Sequence, residues 1–238
     1  MQFKTFIMYS KFFPLLRGAI VGVLLMFSFI ASAQNIRFEN YNLEAVRVNM
    51  SITNIDGKKA VRVSRDTATQ GADIPTFVRL SNTDSFRNGT IQVKLLSRLL
   101  PTADASARGF IGLVFRVNKD NSKFESIYIR PTNGRADDQL RRNHSTQYFS
   151  YPDYPFDRLR KEAAGKYESY ADMGLNEWIK MKITVKNAEV KLYLNDNPQP
   201  VLIVNDLKLG ADNIGAVGLF VDGGTDAFFR DIKVTTEN

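Results

Sequence analysis

The chain's only histidine, His144, lies in a polar stretch, RPTNGRADDQLRRNHSTQY, at residues 130–148. This stretch also holds four arginines, two aspartates and three amide side chains that precede the histidine. Arginine and amide groups donate hydrogen bonds to hydroxyls and carboxylates, whereas histidine and carboxyl groups can transfer protons. The stretch therefore predicts a polar binding site that has the residue types for acid–base chemistry.

Candidate site residues come from this stretch and from the tyrosine-rich residues 148–170, which hold five of the nine tyrosines. Tyrosine rings stack on the apolar faces of sugars while their hydroxyls bond the polar rim. The predicted ligand-binding residues are Tyr128, Arg130, Asn133, Arg135, Arg142, Gln147, Tyr148 and Tyr154. The predicted catalytic candidates are Asp138, His144 and Glu168, with Asp153 as a further choice of acid or base.

A purely structural interpretation of the same residues stays open. Arginines can pair with neighbouring aspartates in a self-neutralising network, and tyrosines beside prolines can pack a crossover against the edge of a sheet. The members of such a network would be Arg135, Arg141, Arg142, Asp137 and Asp138. The two aspartates and nearby carbonyls are also hard oxygen donors suited to Ca²⁺, although they lack a diagnostic spacing. No other cofactor is expected.

Several well-known catalytic sites have no counterpart in the sequence. There is no cysteine, which excludes thiolate chemistry and disulfides. There is also no Gly-x-Ser-x-Gly, no His-Glu-x-x-His and no phosphate-binding glycine loop. Any histidine-dependent site would have to be built around His144.

The N-terminal residues have the pattern of a signal peptide. Lys4, Lys11 and Arg17 precede an apolar run at residues 18–30, and Ala31-Ser32-Ala33 forms a small-residue cleavage site. Cleavage would leave a mature chain of residues 34–238, which we expect to be one domain, secreted or periplasmic in a bacterial envelope. The alternative is an uncleaved N-terminal anchor, and no later segment has the length of a membrane span.

The leader contributes part of the net positive charge of the chain. The formal net charge is +7, and removing the three basic residues of the leader leaves +4. A mildly basic exported protein favours anionic polysaccharides or a membrane surface, and nucleic acid is not an expected partner in that compartment. The sequence leaves the oligomeric state open.

Apolar residues recur with a period of two along most of the mature chain, which is typical of half-buried β-strands. In residues 177–185, Ile179, Met181, Ile183 and Val185 share one face of such a strand. The other predicted strands are 46–53, 60–64, 76–80, 90–99, 109–117, 124–130, 144–150, 188–195, 216–221 and 228–235. A helix is predicted only at 157–164. About a dozen strands without intervening helices predict an all-β protein, an antiparallel β-sandwich or jelly roll.

The C-terminal half resembles concanavalin A-like lectin and laminin G-like domains. The resemblance rests on NEWIKMKITVKNAEVKLYLND and GAVGLFVDGGTDAFFRDIKV, and it spans residues 110–235. It implies a concanavalin A-like sandwich. FESIYIRPTNGRADDQLRRNHSTQY and WIKMKI also resemble bacterial proteins near the 3-keto-disaccharide hydrolase family, which implies a role that involves sugars.

The sequence departs from one well-understood branch of this superfamily. Family 16 glycoside hydrolases carry Glu-x-Asp-x-x-Glu on one strand, where alternate carboxylates face the cleft. No Glu-x-Asp occurs in the chain. A retaining glycosidase needs two carboxyl groups about 5 Å apart, and alternate positions on one strand would supply them. A family 16 active site is therefore not expected.

Three functions stay open from the sequence. The first is glycoside hydrolase-like action on a sugar or oligosaccharide, the second is glycan binding without catalysis, and the third is adhesion or scaffolding with a protein partner. We expect Arg130, Asn133, Arg135, His144 and Tyr154 to line one pocket. Because a charge at a strand end makes few core contacts, Arg130→Ala is expected to abolish ligand binding at little cost in stability.

Overall fold

The computed structural model describes residues 35–237, so the predicted leader and its cleavage site lie outside the described residues. Fifteen strands make up most of this part of the chain. They are β1 (Asn35–Phe38), β2 (Tyr41–Val46), β3 (Val48–Ile55), β4 (Lys58–Arg65), β5 (Phe77–Leu80), β6 (Asn88–Leu99), β7 (Ile111–Val117), β8 (Phe124–Ile129), β9 (Thr146–Tyr151), β10 (Glu168–Ser169), β11 (Trp178–Lys186), β12 (Glu189–Leu194), β13 (Leu202–Val204), β14 (Ala216–Val221) and β15 (Thr225–Glu237).

Helices are few and short. They are α1 (Pro131–Gly134), α2 (Gln139–Asn143) and α3 (Phe156–Glu162), with a 3-10 turn at Ser81–Thr83. The longest, α3, has seven residues. Within residues 35–237, no helix has the length and apolar character needed to cross a membrane.

The strands form two antiparallel sheets. One has eight strands in the order β1-β2-β5-β14-β7-β8-β9-β10, and the other has seven in the order β13-β12-β11-β6-β15-β4-β3. Fully buried aliphatic and aromatic side chains from both sheets form one continuous core. The predicted all-β fold, an antiparallel β-sandwich, is confirmed.

The clearest period-two segment behaves as predicted. In β11, Ile179, Met181, Ile183 and Val185 are buried, whereas the intervening residues are exposed or half-buried. The chain turns at Asn187, which has a positive φ of 53°, and pairs with β12 as the predicted hairpin. The alternation of apolar residues predicts the buried face of β11 correctly, because one face of this strand packs against the core.

Four strands were not predicted from the sequence. Three of them, β1, β10 and β13, contain two to four residues and lie at sheet edges, where a period of two has no room to show. The fourth, β2, ends at Val46, because Arg47 takes a positive φ of 53° and separates β2 from β3. The strand predicted at 46–53 thus begins at Val48 and continues to Ile55.

Residues 131–143 form two short helices, whereas the sequence predicted a helix only at 157–164. Pro131 opens α1, where its missing N–H is not needed. Asp138 caps α2, since its carboxylate accepts a hydrogen bond of 2.9 Å from the backbone N–H of Arg141. His144 ends α2, and the strand predicted from residue 144 therefore starts at Thr146.

Strand β8 brings the polar stretch to the centre of the larger sheet. It is buried along its whole length, and Tyr128 lies opposite Gly112 on β7 and Gln147 on β9. A Cβ atom at Gly112 would come within 2.5 Å of the Tyr128 Cα atom, so the close approach of β7 to β8 requires glycine. The strand pairing places Tyr128, Gln147 and Glu168 on one face of the sheet.

Candidate functional site

A cavity of about 540 Å³ opens where several of these strands end, and we call it the Arg130 cavity. Loops on a rigid β scaffold are common positions for binding sites. The lining of the Arg130 cavity consists of Arg65, residues 71–73, Asp104, Ser106, Arg108, Phe110, Tyr128 and Arg130 at the end of β8, Asn133, Arg141 and His144 of the α1–α2 segment, Phe156 and Arg160 of α3, and the β14–β15 turn at 222–224.

Arg130 follows the last residue of β8, and its side chain is only 6% exposed. Pro131 ends the strand pairing directly after it, which leaves the guanidinium at the wall of the cavity. The guanidinium donates hydrogen bonds to the Tyr128 hydroxyl (2.8 Å), to Gln147 Oε1 (3.2 Å) and to the His144 carbonyl (3.1 Å). Arg130 is therefore a fixed cation that organises the cavity wall.

Glu168 lies behind this wall and is 2% exposed at its side chain. Its carboxylate accepts hydrogen bonds from Arg130 (3.4 Å) and from Arg160, whose Nε atom lies 3.0 Å away. The Nε2 atom of His144 is 3.5 Å from the same carboxylate. Burial lowers the pKa of His144, Arg160 and Arg130 lower it further, and Glu168 acts in the opposite direction. The imidazole is therefore neutral at pH 7.

Asp73 contributes a carboxyl group that the sequence analysis missed. It is 3% exposed, and its Oδ2 atom accepts a hydrogen bond of 2.6 Å from the backbone N–H of Phe156. Burial raises the pKa of Asp73 to about 7, and the negative charge of Asp222 adds to the rise. Near neutral pH, Asp73 is thus poised between its acid and its carboxylate.

Asp222 is the second carboxyl group of the cavity and is also buried. It accepts hydrogen bonds from Arg65 Nη1 and from the Gly223 N–H, both at 2.7 Å, and from the Asp73 N–H at 3.4 Å. Burial raises the pKa of Asp222, whereas the Gly223 N–H and Arg65 hold it down. The two aspartates therefore meet in one cavity, and an arginine is bound to only one of them.

Aromatic rings surround the Arg130 guanidinium. Its central carbon lies 5.0 Å from the ring centre of Tyr128, 5.5 Å from that of Phe156 and 6.0 Å from that of Phe110. Burial raises the pKa of Tyr128 well above its ordinary value, so its hydroxyl keeps its proton. The cavity therefore combines apolar ring surfaces with donors and acceptors held in place.

Four of the predicted site residues line the cavity, namely Tyr128, Arg130, Asn133 and His144. Gln147 and Glu168 lie directly behind it through their hydrogen bonds to Arg130. The sequence analysis missed Asp73, Asp222, Arg65, Arg108, Arg160, Phe110 and Phe156. Of these residues, only Asp222 lies in a recognisable local pattern, because Gly223 and Gly224 follow it. That pattern predicts a turn and does not predict a binding site.

Three predicted residues from the polar stretch lie outside the cavity. Arg135 is exposed and pairs with Asp172 (2.8 Å) and Glu177 (3.2 Å). Arg142 donates to the hydroxyl of Tyr170 (2.9 Å), and Asp138 caps α2. Within residues 35–237, no ion pair joins Asp137 or Asp138 to an arginine. The self-neutralising network considered from the sequence is therefore wrong.

The other two predicted tyrosines, Tyr148 and Tyr154, lie outside the cavity. Tyr154 is half-buried between Arg158, 4.4 Å from its ring centre, and Lys208, at 5.3 Å. Tyr148 is fully buried, and its hydroxyl donates a hydrogen bond to Glu125. The expectation that Tyr154 and Arg135 share a pocket with Arg130 is wrong, because their side chains contact other parts of the surface.

Tyr148→Phe is expected to lower the free energy of unfolding by about 1–3 kcal/mol and to leave ligand binding unchanged. The variant removes a donor to the buried Glu125 and the acceptor of the Lys208 N–H, which lies 2.8 Å from the hydroxyl. Urea denaturation measures the loss, with Tyr170→Phe at an exposed site as the control. A change in ligand affinity without a change in stability would contradict this structural role.

Within 35–237, no group of three or more histidine, aspartate and glutamate side chains is arranged to hold a metal ion. Asp138 is already engaged at the N-terminus of α2. Calcium binding at Asp137 and Asp138 stays a prediction.

The fold and the cavity together define an antiparallel β-sandwich with a polar, aromatic-lined pocket at its strand ends. No family model matches the sequence, and no curated protein matches it either. The resemblance to the 3-keto-disaccharide hydrolase family stays a prediction.

Solved structures with similar backbones include a carbohydrate-binding module, a protein with a galectin-like fold and a domain of an arabinanase. The carbohydrate-binding module CBM66 from Bacillus subtilis has a TM-score of 0.49 at 15% identity and covers 79% of this chain and 94% of its own. A galectin-like protein of unknown function from Bacillus subtilis gives 0.48 at 12%, covering 82% and 88%. Domain 4 of the extracellular arabinanase AbnA from Geobacillus stearothermophilus gives 0.46 at 10%, covering 82% of each chain.

Proposed function

We propose that the protein recognises carbohydrate and that the Arg130 cavity holds one or two sugar residues. The observation that carries this proposal is the pairing of ring surfaces with fixed polar groups in one space of about 540 Å³. Volumes of this size suit small polar ligands. The protein would be exported if the predicted leader acts as a signal peptide.

The polar groups of the cavity suit the rim of a sugar. Asn133 donates to the His144 carbonyl at 3.1 Å, which orients its amide within the cavity lining. The neutral imidazole of His144 can accept one hydrogen bond and donate another. Sugar hydroxyls are both donors and acceptors, so this mixture matches their chemistry.

Phe110 supplies the sharpest test of sugar binding. It lines the cavity and is half-buried, with its ring centre 6.0 Å from that of Tyr128. Phe110→Ala removes a surface on which a sugar face can stack, and we expect affinity to fall about tenfold, equivalent to about 1.4 kcal/mol. A glycan array of the purified protein selects the ligand, and isothermal titration calorimetry measures the affinity.

The matched control is Tyr170→Ala, which removes an exposed ring outside the cavity. Circular dichroism verifies that both variants keep the β-sheet signal. If Phe110→Ala folds and binds the selected glycan as tightly as the wild type does, the cavity is not the sugar site.

Glycoside hydrolysis is a second candidate, favoured by one observation. Asp73, with a pKa raised to about 7 by burial, adjoins Asp222, which accepts a hydrogen bond from Arg65. Two carboxyl groups in different environments are the usual basis of acid–base catalysis on glycosides. In this mechanism Asp73 would donate a proton to the leaving oxygen, and Asp222 would act as the base or the nucleophile.

A panel of glycosides, including oxidised 3-keto sugars, separates the two candidates. Release of a product sugar by the wild-type protein would support hydrolysis. Binding without release over a long incubation would leave recognition as the function. Binding of protein partners alone, without any glycan, would instead favour the adhesion function that the sequence left open.

A further inference from the structure

The arginines of the Arg130 cavity differ in whether a carboxylate pairs with them. Five arginines line the cavity, and three of them pair with buried carboxylates. Arg65 pairs with Asp222, while Arg130 and Arg160 share Glu168. In residues 35–237, the remaining two, Arg108 and Arg141, form no ion pair.

The unpaired arginines also have hydrogen-bond donors to spare. Arg108 uses only Nη1, which donates to the carbonyls of Ala105 (2.6 Å) and Ala107 (2.9 Å). Arg141 uses only Nη2, at 3.5 Å from Asn133 Oδ1, and its Nε atom is shielded from solvent without a partner among the described residues. A guanidinium has five N–H donors, so most of those on both side chains are free for a ligand.

The two guanidinium groups lie close enough to affect each other. Burial lowers the pKa of Arg108, and the positive charges of Arg141 and Arg130 lower it further. Asp104 also lines the cavity and acts in the opposite direction on the pKa of Arg108. Its carboxylate accepts hydrogen bonds from the N–H and hydroxyl of Ser106, and within residues 35–237 it forms no ion pair with either arginine. Two arginines that face a common cavity without an ion-pair partner attract an anion.

We propose that the Arg130 cavity takes an acidic sugar and that Arg108 and Arg141 bind its anionic group, a carboxylate or a sulfate. The inference rests on the proposed sugar-binding function and adds the charge of the ligand. Guanidinium groups bind carboxylates and tetrahedral oxyanions through two parallel hydrogen bonds, which gives both strength and orientation. The ring surfaces and Asn133 hold the sugar, and the two arginines select its acidic form.

The test compares matched sugars by isothermal titration calorimetry on the purified protein. The probes are methyl glycosides of glucose, galactose and mannose, each beside its uronic acid and its 6-sulfate. We expect at least one acidic form to bind tenfold or more tightly than its neutral counterpart, and we expect this preference to shrink as salt is added. Comparison of the uronic acid with the 6-sulfate identifies which anion is preferred.

Variants then show which arginines cause the preference for the acidic sugar. Arg108→Gln and Arg141→Gln are each expected to weaken binding of the acidic sugar tenfold or more, while the affinity for the neutral sugar stays within about twofold. The control is Arg135→Gln, an exposed arginine outside the cavity. The Arg141 side chain makes a single long hydrogen bond, so the Arg141→Gln variant keeps the test available if Arg108→Gln fails to fold.

The outcomes separate the two proposals. Neutral and acidic sugars that bind equally well, or a preference that survives both variants, would overturn the assignment of an acidic ligand and leave sugar recognition standing. Absence of binding to every sugar of the glycan array and of this panel would overturn both. Loss of the acidic preference in the two variants, with neutral binding retained, would support both.

Discussion

Arg130→Ala is expected to lower the free energy of unfolding by about 3–5 kcal/mol, because it leaves a buried carboxylate with one arginine fewer. The Glu168 side chain is 2% exposed and is bound by both Arg130 and Arg160. The variant also removes the donors to the Tyr128 hydroxyl and to Gln147 Oε1. In a domain of this size, the loss lowers the melting temperature on the order of 10 °C.

This result would reverse the expectation from the sequence, which placed Arg130 at a strand end with few core contacts. Thermal and urea denaturation measure the change, and Arg135→Ala is the control. Arg135 is exposed at 57% of its side chain, and its removal should leave the melting temperature nearly unchanged. A full loss of ligand binding by Arg130→Ala at wild-type stability would show that the guanidinium serves the ligand and not the fold.

Asp73→Asn is expected to change how stability depends on pH. Burial raises the pKa of Asp73 from an ordinary value of 3.8 to about 7 in the folded protein. The protonated carboxyl therefore favours the folded state below about pH 4, and this contribution is lost as the pH rises to about 7. The slope is at most about 1.4 kcal/mol per pH unit, which amounts to about 4 kcal/mol over the whole interval.

An amide cannot ionise, so the Asp73→Asn variant should lack this part of the slope. Its stability relative to the wild type should increase between pH 4 and pH 7, while its side-chain oxygen can still accept from the Phe156 N–H. Urea denaturation at several pH values measures the difference, with the surface variant Asp153→Asn as the control. Stability curves for wild type and Asp73→Asn that run parallel across this range would mean that Asp73 titrates as an ordinary aspartate.

Local patterns in the sequence were enough to predict the fold class. The alternation of Ile179, Met181, Ile183 and Val185 predicts a strand with one buried face, and the structure has that strand. The same periodicity placed Tyr128 and Arg130 together at the end of β8, and both line the cavity. Such patterns depend on residues that are near one another in the chain, so the sequence alone contains them.

The composition of the cavity was decided by tertiary structure. Asp73 and Asp222 are 149 residues apart in the chain and meet because the β4–β5 loop lies beside the β14–β15 turn. The sequence around each carboxyl group does not predict its burial or its raised pKa. The burial and the pKa depend on the residues that pack around the group in the folded protein. Tyr154 and Arg135 lie close to Arg130 in sequence and yet contact other surfaces. The pattern of residues near one another in the chain predicts the strands. The burial of a side chain and its charge partners depend instead on residues that are far away in the chain.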